Sequence, residues 1–335
     1  KDKFSIRDKL YMNIAINLAT IQKGKTGENP YVGCVVTKNN QIISYGSTQT
    51  NGRPHAEVDA LKKINFRAKG STVCLTLEPC THYGKTPPCV NVLIKSKVKK
   101  VIYSINDQDK RTFNKAIKFL RSKKIDTAKG LLSNKASKLY NHYNYAKKNK
   151  IPYIIGKLAC SKDYKFLYNN TLITNEHSRK VSHLLRYQNQ AILTSYKVIN
   201  SDNPKLTCRL NGLEQFSPII LIIDKDLKVN ANSYIFKNKK ALNKIIFYNS
   251  NNLKKINKVK KIKKVKMIKV DFDKKYNLDL NKLLKKIYSL SIYSVIVECG
   301  KELTSKMITN KLFNEFYLFK SEKNFRLVRG NVLSI

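Results

Sequence analysis

Two hydrophobic periods alternate along the first 130 residues, and this alternation constrains the fold more than any other feature. Leu10, Ile14, Leu18 and Ile21 recur at helical spacing, which predicts a helix over residues 7 to 22. Asn29-Pro30 breaks the pattern. Val32–Thr37 and Gln41–Tyr45 then read as two strands around an Asn39-Asn40 turn. His55–Ile64 reads as a helix with Val58 and Leu61 inward, and Thr72–Leu77 as a strand. Pro87–Ser96 is a helix with Val90, Leu93 and Ile94 on one face. Lys100–Ile105 is a strand and Asn114–Lys123 a helix. The order α-β-β-α-β-α-β-α predicts a sheet between helices.

Residues 134–150 are polar and rich in Lys and Asn, and read as a connector able to form helix. A second alternating region opens at Ile151-Pro152. Strands are expected near 153–159, 191–194, 219–223, 244–248 and 292–297, and helices near 176–187, 280–289 and 301–310. No internal repeat is visible. A chain of 335 residues accommodates two domains, drawn here at 1–148 and 149–335.

Hydrophobic residues at 42% and charged residues at 26% suit a packed core. The unusual quantity is charge: 66 Lys and Arg against 22 Asp and Glu, formally +44. A polyanion partner would explain it, but its footprint should be localised. Basic residues instead run through the whole chain, densest at 254–266 (KKINKVKKIKKVK), as a genome-wide bias towards Lys, Asn and Ile would produce. No nucleic-acid partner is therefore expected, although a positive surface would attract a phosphorylated substrate. The seven cysteines, Cys34, Cys74, Cys80, Cys89, Cys160, Cys208 and Cys299, are odd in number and irregularly spaced. They read as reduced thiols, with some as ligands. The longest wholly apolar run, Ile219–Ile223, is too short to span a membrane. The charged first residues lead into no apolar run, so no secretory signal is expected and the cytoplasm is the expected location.

Two short segments carry the chemistry. Pro54-His55-Ala56-Glu57 opens a predicted helix. Glu78-Pro79-Cys80 follows a predicted strand, and Pro87-Pro88-Cys89 opens the next helix. One imidazole and two thiolates give three zinc ligands and leave a fourth position for water, whose pKa zinc lowers towards neutrality. Glu57, two residues beyond His55, stands close enough to move protons without binding the metal. The arrangement follows the H-x-E…P-C-x-x-C pattern of zinc deaminases, except that eight residues separate Cys80 from Cys89. A structural zinc with His82 as fourth ligand is the alternative, but it leaves Glu57 without a role.

The spacer is informative in itself. Thr76-Leu77-Glu78-Pro79-Cys80-Thr81-His82-Tyr83-Gly84-Lys85-Thr86-Pro87-Pro88-Cys89 closely resembles the deaminase half of the bifunctional riboflavin-biosynthesis deaminase/reductases, as do Asn29-Pro30-Tyr31-Val32-Gly33-Cys34 and Pro54-His55-Ala56-Glu57-Val58. Lys157-Leu158-Ala159-Cys160-Ser161-Lys162-Asp163, Leu184-Leu185-Arg186, Ala191–Ser195, Asp202–Arg209 and Val297-Glu298-Cys299-Gly300 resemble the same family's reductase half. The resemblance implies an α/β fold with a three-layer α/β/α cytidine-deaminase-like domain, then a dihydrofolate-reductase-like α/β domain. It implies zinc and NADPH as cofactors. It also implies deamination of 2,5-diamino-6-ribosylamino-4(3H)-pyrimidinone 5′-phosphate, then reduction of the ribosyl group to give 5-amino-6-(5-phosphoribitylamino)uracil. By position, Asn29, Arg186, Leu206, Arg209 and Glu298 would contact substrate. Cys160, Asp202 and the Gly300-Lys301-Glu302-Leu303 turn would contact NADPH, although Cys160, like Cys34 and Cys74, also reads as a small buried hydrophobe. The family tends to form dimers or tetramers.

The chain departs from the family's pattern mainly in its second half. Tyr164 stands where Gly is usual, Leu172 where an aromatic is expected and Val198 in place of Thr, and residues 191–200 hold no Gly. The chain also ends early, leaving Arg326–Ile335 too short for the usual closing strands. In the first half, Tyr31 stands where a second Asn is common. The alternative is thus a deaminase with a degenerate reductase half. A tRNA or nucleobase deaminase is a further alternative, which the reductase-like half argues against.

Overall fold

Ser5 and Asp8 exchange hydrogen bonds in a capping box that starts the first helix, α1 (Ile6–Ile21). The structure is a computed structural model that describes residues 4–162, 165–166, 175–237, 243–271, 278–321 and 333–334. Tyr164 and Leu172 lie outside the described residues, as does most of the closing segment. The chain divides into two compact units, Lys1–Asn149 and Lys150–Ile335.

In the first unit α1 is followed by β1 (Gly33–Lys38), β2 (Gln41–Ser47), α2 (Ala56–Lys63), β3 (Thr72–Leu77), α3 (Cys89–Lys95), β4 (Lys100–Ile105), α4 (Ala116–Ser122), β5 (Asp126–Lys129), α5 (Ser133–Leu139) and α6 (Asn141–Asn149). The sheet order is β2-β1-β3-β4-β5. β1 runs antiparallel to β2 and β3, while β3, β4 and β5 are parallel. Asn39 and Asn40, at φ 51° and 62°, form the turn expected between β1 and β2.

The connector reading of 134–150 is corrected. That stretch is α5 and α6, built into the first unit. Ala136, Tyr140 and Ala146 are fully buried, and the Tyr140 hydroxyl shares a 2.6 Å hydrogen bond with Thr76 Oγ1. The few apolar residues lie on the inner face, so the polar composition describes only the outer one. Tyr31, the departure from a second Asn, belongs to the same join: its ring stacks on Tyr140 and its hydroxyl donates to the Leu139 carbonyl.

The second unit contains β6 (Tyr153–Cys160), β7 (Lys165–Phe166), α7 (Glu176–Gln188), β8 (Ala191–Ser195), α8 (Tyr196–Asp202), β9 (Ile219–Ile223), α9 (Tyr234–Lys237), β10 (Lys244–Tyr248), α10 (Leu253–Lys260), β11 (Val265–Lys269), α11 (Leu280–Ser289), β12 (Ser294–Val297), α12 (Lys301–Thr309), β13 (Glu315–Lys320) and β14 (Leu333–Ser334). Seven strands form one sheet in the order β11-β10-β9-β8-β12-β6-β13. All of its pairings are parallel, and β14 pairs with β7. Successive strand residues enter opposite cores. Ile220 and Ile222 join one hydrophobic cluster and Leu221 the other. A sheet covered on both faces explains the unbroken apolar run Ile219–Ile223.

α8, α9, α10, β11 and β13 were not anticipated. The Lys run 254–266 is α10 followed by the start of β11. As the edge strand of the sheet, β11 carries outward lysines that discourage edge-to-edge pairing.

Candidate functional site

α2 is seated so that its N-terminus meets the end of β3. A Cβ at Gly46 on β2 would fall 2.6 Å from the Ala56 carbonyl oxygen, so only Gly permits this close approach. Asp59 fixes the seat from the helix side, accepting from the Ser47 N–H and from Lys63. His55 is the N-cap of α2. Glu78 anchors the opposite side: its carboxylate accepts the backbone N–H groups of Asp107, Asn114 and Ala116. That fixes the β3 exit, two residues before Cys80, to the loop between β4 and α4.

His55, Cys80 and Cys89 converge, with their ligand atoms all within 4.8 Å of one another. His55 Nδ1 lies 3.2 Å from Cys89 Sγ and 3.8 Å from Cys80 Sγ. The Cys89 N–H donates to Cys80 Sγ at 3.2 Å. Hydrogen bonds from the Cys89 thiol, His55 and this N–H hold the Cys80 thiol down to about 4, against the effect of burial. Cys89 itself is pushed up by sharing its proton with Cys80 and by burial. A cation that displaces the thiol protons would be held by both sulfurs and the imidazole nitrogen. A soft donor set of two sulfurs and one nitrogen at this separation fits zinc.

Glu57 is buried beside the cluster. Burial pushes its carboxyl up, and the Cys80 thiolate pushes the same way. His82 is not part of the cluster: its Nδ1 shares a 3.0 Å hydrogen bond with Thr112 Oγ1. The four-ligand structural alternative therefore has no fourth ligand among the described residues. Asn29 packs on Gly52, where φ is +82° and a Cβ would overlap the Asn29 amide. This sets Asn29 beside the segment that leads into His55.

In the second unit, Glu298 follows β12 and faces α7. Arg186 grips its carboxylate with two bonds, Nε to Oε1 at 2.7 Å and Nη2 to Oε2 at 2.8 Å. Lys157 Nζ stands 3.6 Å away. Burial works to raise Glu298, but Arg186 and Lys157 hold it down at about 2. Arg186 Nη1 also donates to the Thr207 carbonyl, which draws Leu206–Thr207 to the pair. Leu206 is buried, at φ 52°. His183, one helical turn before Arg186, meets the same carbonyl at 3.1 Å and lines a cleft of about 440 Å³ with Arg179, Lys180 and Arg209. Neither His183 nor Lys157 was singled out from sequence. The i, i+3 spacing of His183 and Arg186 was the available signal.

Of the expected NADPH contacts, Gly300 is the N-cap of α12 and supplies no capping side chain, and Lys301, Glu302 and Leu303 form the first turn. The N–H groups there suit a phosphate. Glu302 pairs with Lys197. Asp202 ends α8, exposed, and accepts from the Ser201 hydroxyl. Cys160 is fully buried at the end of β6.

Residues 5–105 match the family model for the cytidine and deoxycytidylate deaminase zinc-binding region, and residues 152–321 match the RibD C-terminal domain. The riboflavin biosynthesis protein RibD of Aquifex aeolicus is 33% identical over 331 residues, covering 98% of this chain and 89% of that protein. The chain belongs to the RibD family. RibD of Acinetobacter baumannii superposes with a TM-score of 0.85 at 27% identity, covering 96% of this chain and 88% of that one. A Thermotoga maritima diaminohydroxyphosphoribosylaminopyrimidine deaminase/5-amino-6-(5-phosphoribosylamino)uracil reductase superposes with a TM-score of 0.79 at 28% identity, covering 95% and 88%. As a RibD protein the chain is a two-activity enzyme of riboflavin biosynthesis, a deaminase followed by a reductase, and uses zinc and NADPH. The match to the RibD C-terminal domain argues against the alternative of a tRNA or nucleobase deaminase. Among the described residues no helix is long and apolar enough to cross a membrane.

Removing zinc should separate the two activities. After dialysis against a strong chelator, deamination should vanish and return with added zinc. NADPH oxidation on substrate that has already been deaminated should continue throughout. Loss of both activities on chelation would contradict a metal site confined to the first unit.

Proposed function

We propose that His55 Nδ1 and the Cys80 and Cys89 thiolates hold the zinc and that Glu57 moves the protons. The observation that carries this is the convergence of those three ligand atoms beside a buried carboxylate. When bound, the zinc acidifies water for attack on the amino-bearing ring carbon. Glu57 takes a proton from the attacking water on a carboxylate oxygen and delivers it to the departing ammonia. Asn29 orients the pyrimidine, which is 2,5-diamino-6-ribosylamino-4(3H)-pyrimidinone 5′-phosphate.

In the second unit Arg186, Leu206, Arg209 and Glu298 receive the deaminated product. Arg209, exposed at the rim of the cationic cleft, is the better placed of the two arginines for the phosphate, because Arg186 is committed to Glu298. Cys160, Asp202, Gly300, Lys301, Glu302 and Leu303 border the NADPH site, where NADPH supplies the hydride that opens the ribosyl ring.

The protein works in the cytoplasm, a location that suits its seven free thiols. It forms a homo-oligomer, for which the exposed Phe316, Tyr317 and Leu318 on the edge strand β13 offer contact area. It needs no nucleic-acid partner. A two-step assay tests both activities at once. With the phosphorylated diaminopyrimidine alone, ammonia should appear and the deaminated pyrimidine accumulate. With NADPH added, an equal amount of NADPH should be consumed. Ammonia release without any NADPH consumption would refute the reductase assignment.

A further inference from the structure

Arg209 stands at the cationic cleft of the second unit with little to hold its side chain. It is exposed, and among the described residues its guanidinium makes no hydrogen bond and no ion pair. Its place at the cleft therefore depends on the backbone that carries it, residues 206–208.

That backbone is bent against its preference. Leu206 is buried in the left-handed region at φ 52°, a conformation that a side chain of this size keeps only where its surroundings impose it. Three hydrogen bonds act on the next two residues. The Cys208 N–H donates to the Ser217 hydroxyl at 3.0 Å. The Thr207 carbonyl takes the other two, from Arg186 Nη1 and from His183 Nδ1, both at 3.1 Å. A carbonyl oxygen has two lone pairs and can only accept, so His183 Nδ1 is the donor. His183 and Arg186 stand three apart on α7 and so share one face of it.

The two donors differ in their other commitments. Arg186 is tied to Glu298 by two bonds. His183 is buried, and the Thr207 carbonyl is its hydrogen-bond partner among the described residues. Burial and the Arg186 and Arg209 charges push its pKa down to about 4. The ring is therefore uncharged at neutral pH and adds no positive charge to draw an anion. What it supplies to the cleft is a fixed turn.

On the reading that Arg209 takes the substrate phosphate, we infer that His183 is a positioning residue. By donating to the Thr207 carbonyl it holds the Leu206–Arg209 turn against α7, and so keeps Arg209 at the cleft for the phosphate.

Steady-state reduction by the full chain tests this, with the deaminated pyrimidine supplied directly and NADPH saturating. His183→Leu removes the donor. It should raise KM about three- to ten-fold, the worth of one hydrogen bond, and leave kcat unchanged. Inorganic phosphate, used as a competitive inhibitor, should weaken by the same factor. His183→Asn keeps an uncharged N–H donor near the position of Nδ1 and should stay close to the wild type in both measurements. His183→Met, also without a donor, should behave as Leu and carries the test if the Leu variant folds poorly. Donor-free variants with the native KM and native phosphate inhibition would overturn the role given to His183. So would an Asn variant as weak as Leu, or a fall in kcat with KM unchanged. Arg209→Gln separates the two readings. If it leaves KM and phosphate inhibition unchanged, the phosphate does not bind Arg209 and the role of His183 falls with that reading. If it raises both while His183→Leu raises neither, the role of His183 alone is overturned.

Discussion

Replacing Glu57 by Gln should lower deamination by roughly 10²- to 10⁴-fold, the usual worth of a positioned acid–base group, while zinc content stays stoichiometric. The amide keeps the shape of the carboxylate but can neither take the proton from water nor hand it to ammonia. Two features of the site make the effect large. Glu57 is only 4% exposed, so bulk water cannot easily replace it as a proton carrier. Burial and the neighbouring Cys80 raise its affinity for a proton, which suits a group that must take one up and release it. The checks are the steady-state rate of ammonia release and metal analysis of the same preparation. A Gln variant that retains zinc and turns over at the native rate would remove Glu57 from the mechanism. One that loses zinc would show that Glu57 supports the metal cluster instead.

Breaking the Arg186–Glu298 pair should be nearly as damaging, and should act through stability. Both side chains are 12% exposed and are joined by two short charged bonds. Glu298→Ala would strand a guanidinium in the interior, which typically costs about 3–5 kcal/mol. The measurement is loss of NADPH-dependent activity with temperature or urea in the full chain, with a large downward shift in midpoint expected. A shift within about 0.5 kcal/mol, as for an ordinary surface change, would contradict a buried pair.

The pH dependence of this pair has a definite sign. Glu298 is held at about 2 when folded, against roughly 4.3 in an unfolded chain. The unfolded state takes up its proton first on acidification. The stabilisation is therefore complete above about pH 4.5 and is lost as pH falls towards 2. In Glu298→Gln that portion of the acid slope should disappear. An unchanged slope would place the acid sensitivity elsewhere.

How much could be read from sequence depended on how local each signal was. The residues proposed for deamination lie in two short segments whose residue types and spacing are specific, so the cluster of His55, Cys80 and Cys89 could be anticipated without coordinates. Asn39-Asn40 announced its turn for the same reason. Arg186 and Glu298 were each singled out, but their partnership spans 112 positions and no local pattern could show it. The three amides on Glu78 are likewise contacts between distant segments. The elements that were missed failed for compositional reasons. α5 and α6 were anticipated as possible helix but not as part of the core, because they rest on three small or aromatic contacts under a polar exterior. β11 is an edge strand buried chiefly at Ile268, and its lysines hide the alternation. β13 exposes Phe316, Tyr317 and Leu318, so it lacks a clean inside-outside rhythm.

The strand order of the second sheet bears on how the molecule is made. β6, residues Tyr153–Cys160, is laid between β12 and β13, which begin at Ser294 and Glu315. During synthesis the first sheet closes from segments within one short stretch of chain. β6 then waits with both edges unpaired while more than a hundred residues are added. Non-local parallel pairing of this kind is slow, and an unpaired apolar strand is exposed to wrong partners meanwhile. The two halves of this enzyme therefore face different risks at birth: the deaminase sheet can close from a local stretch of chain, whereas the reductase sheet needs strands from the last part of the chain.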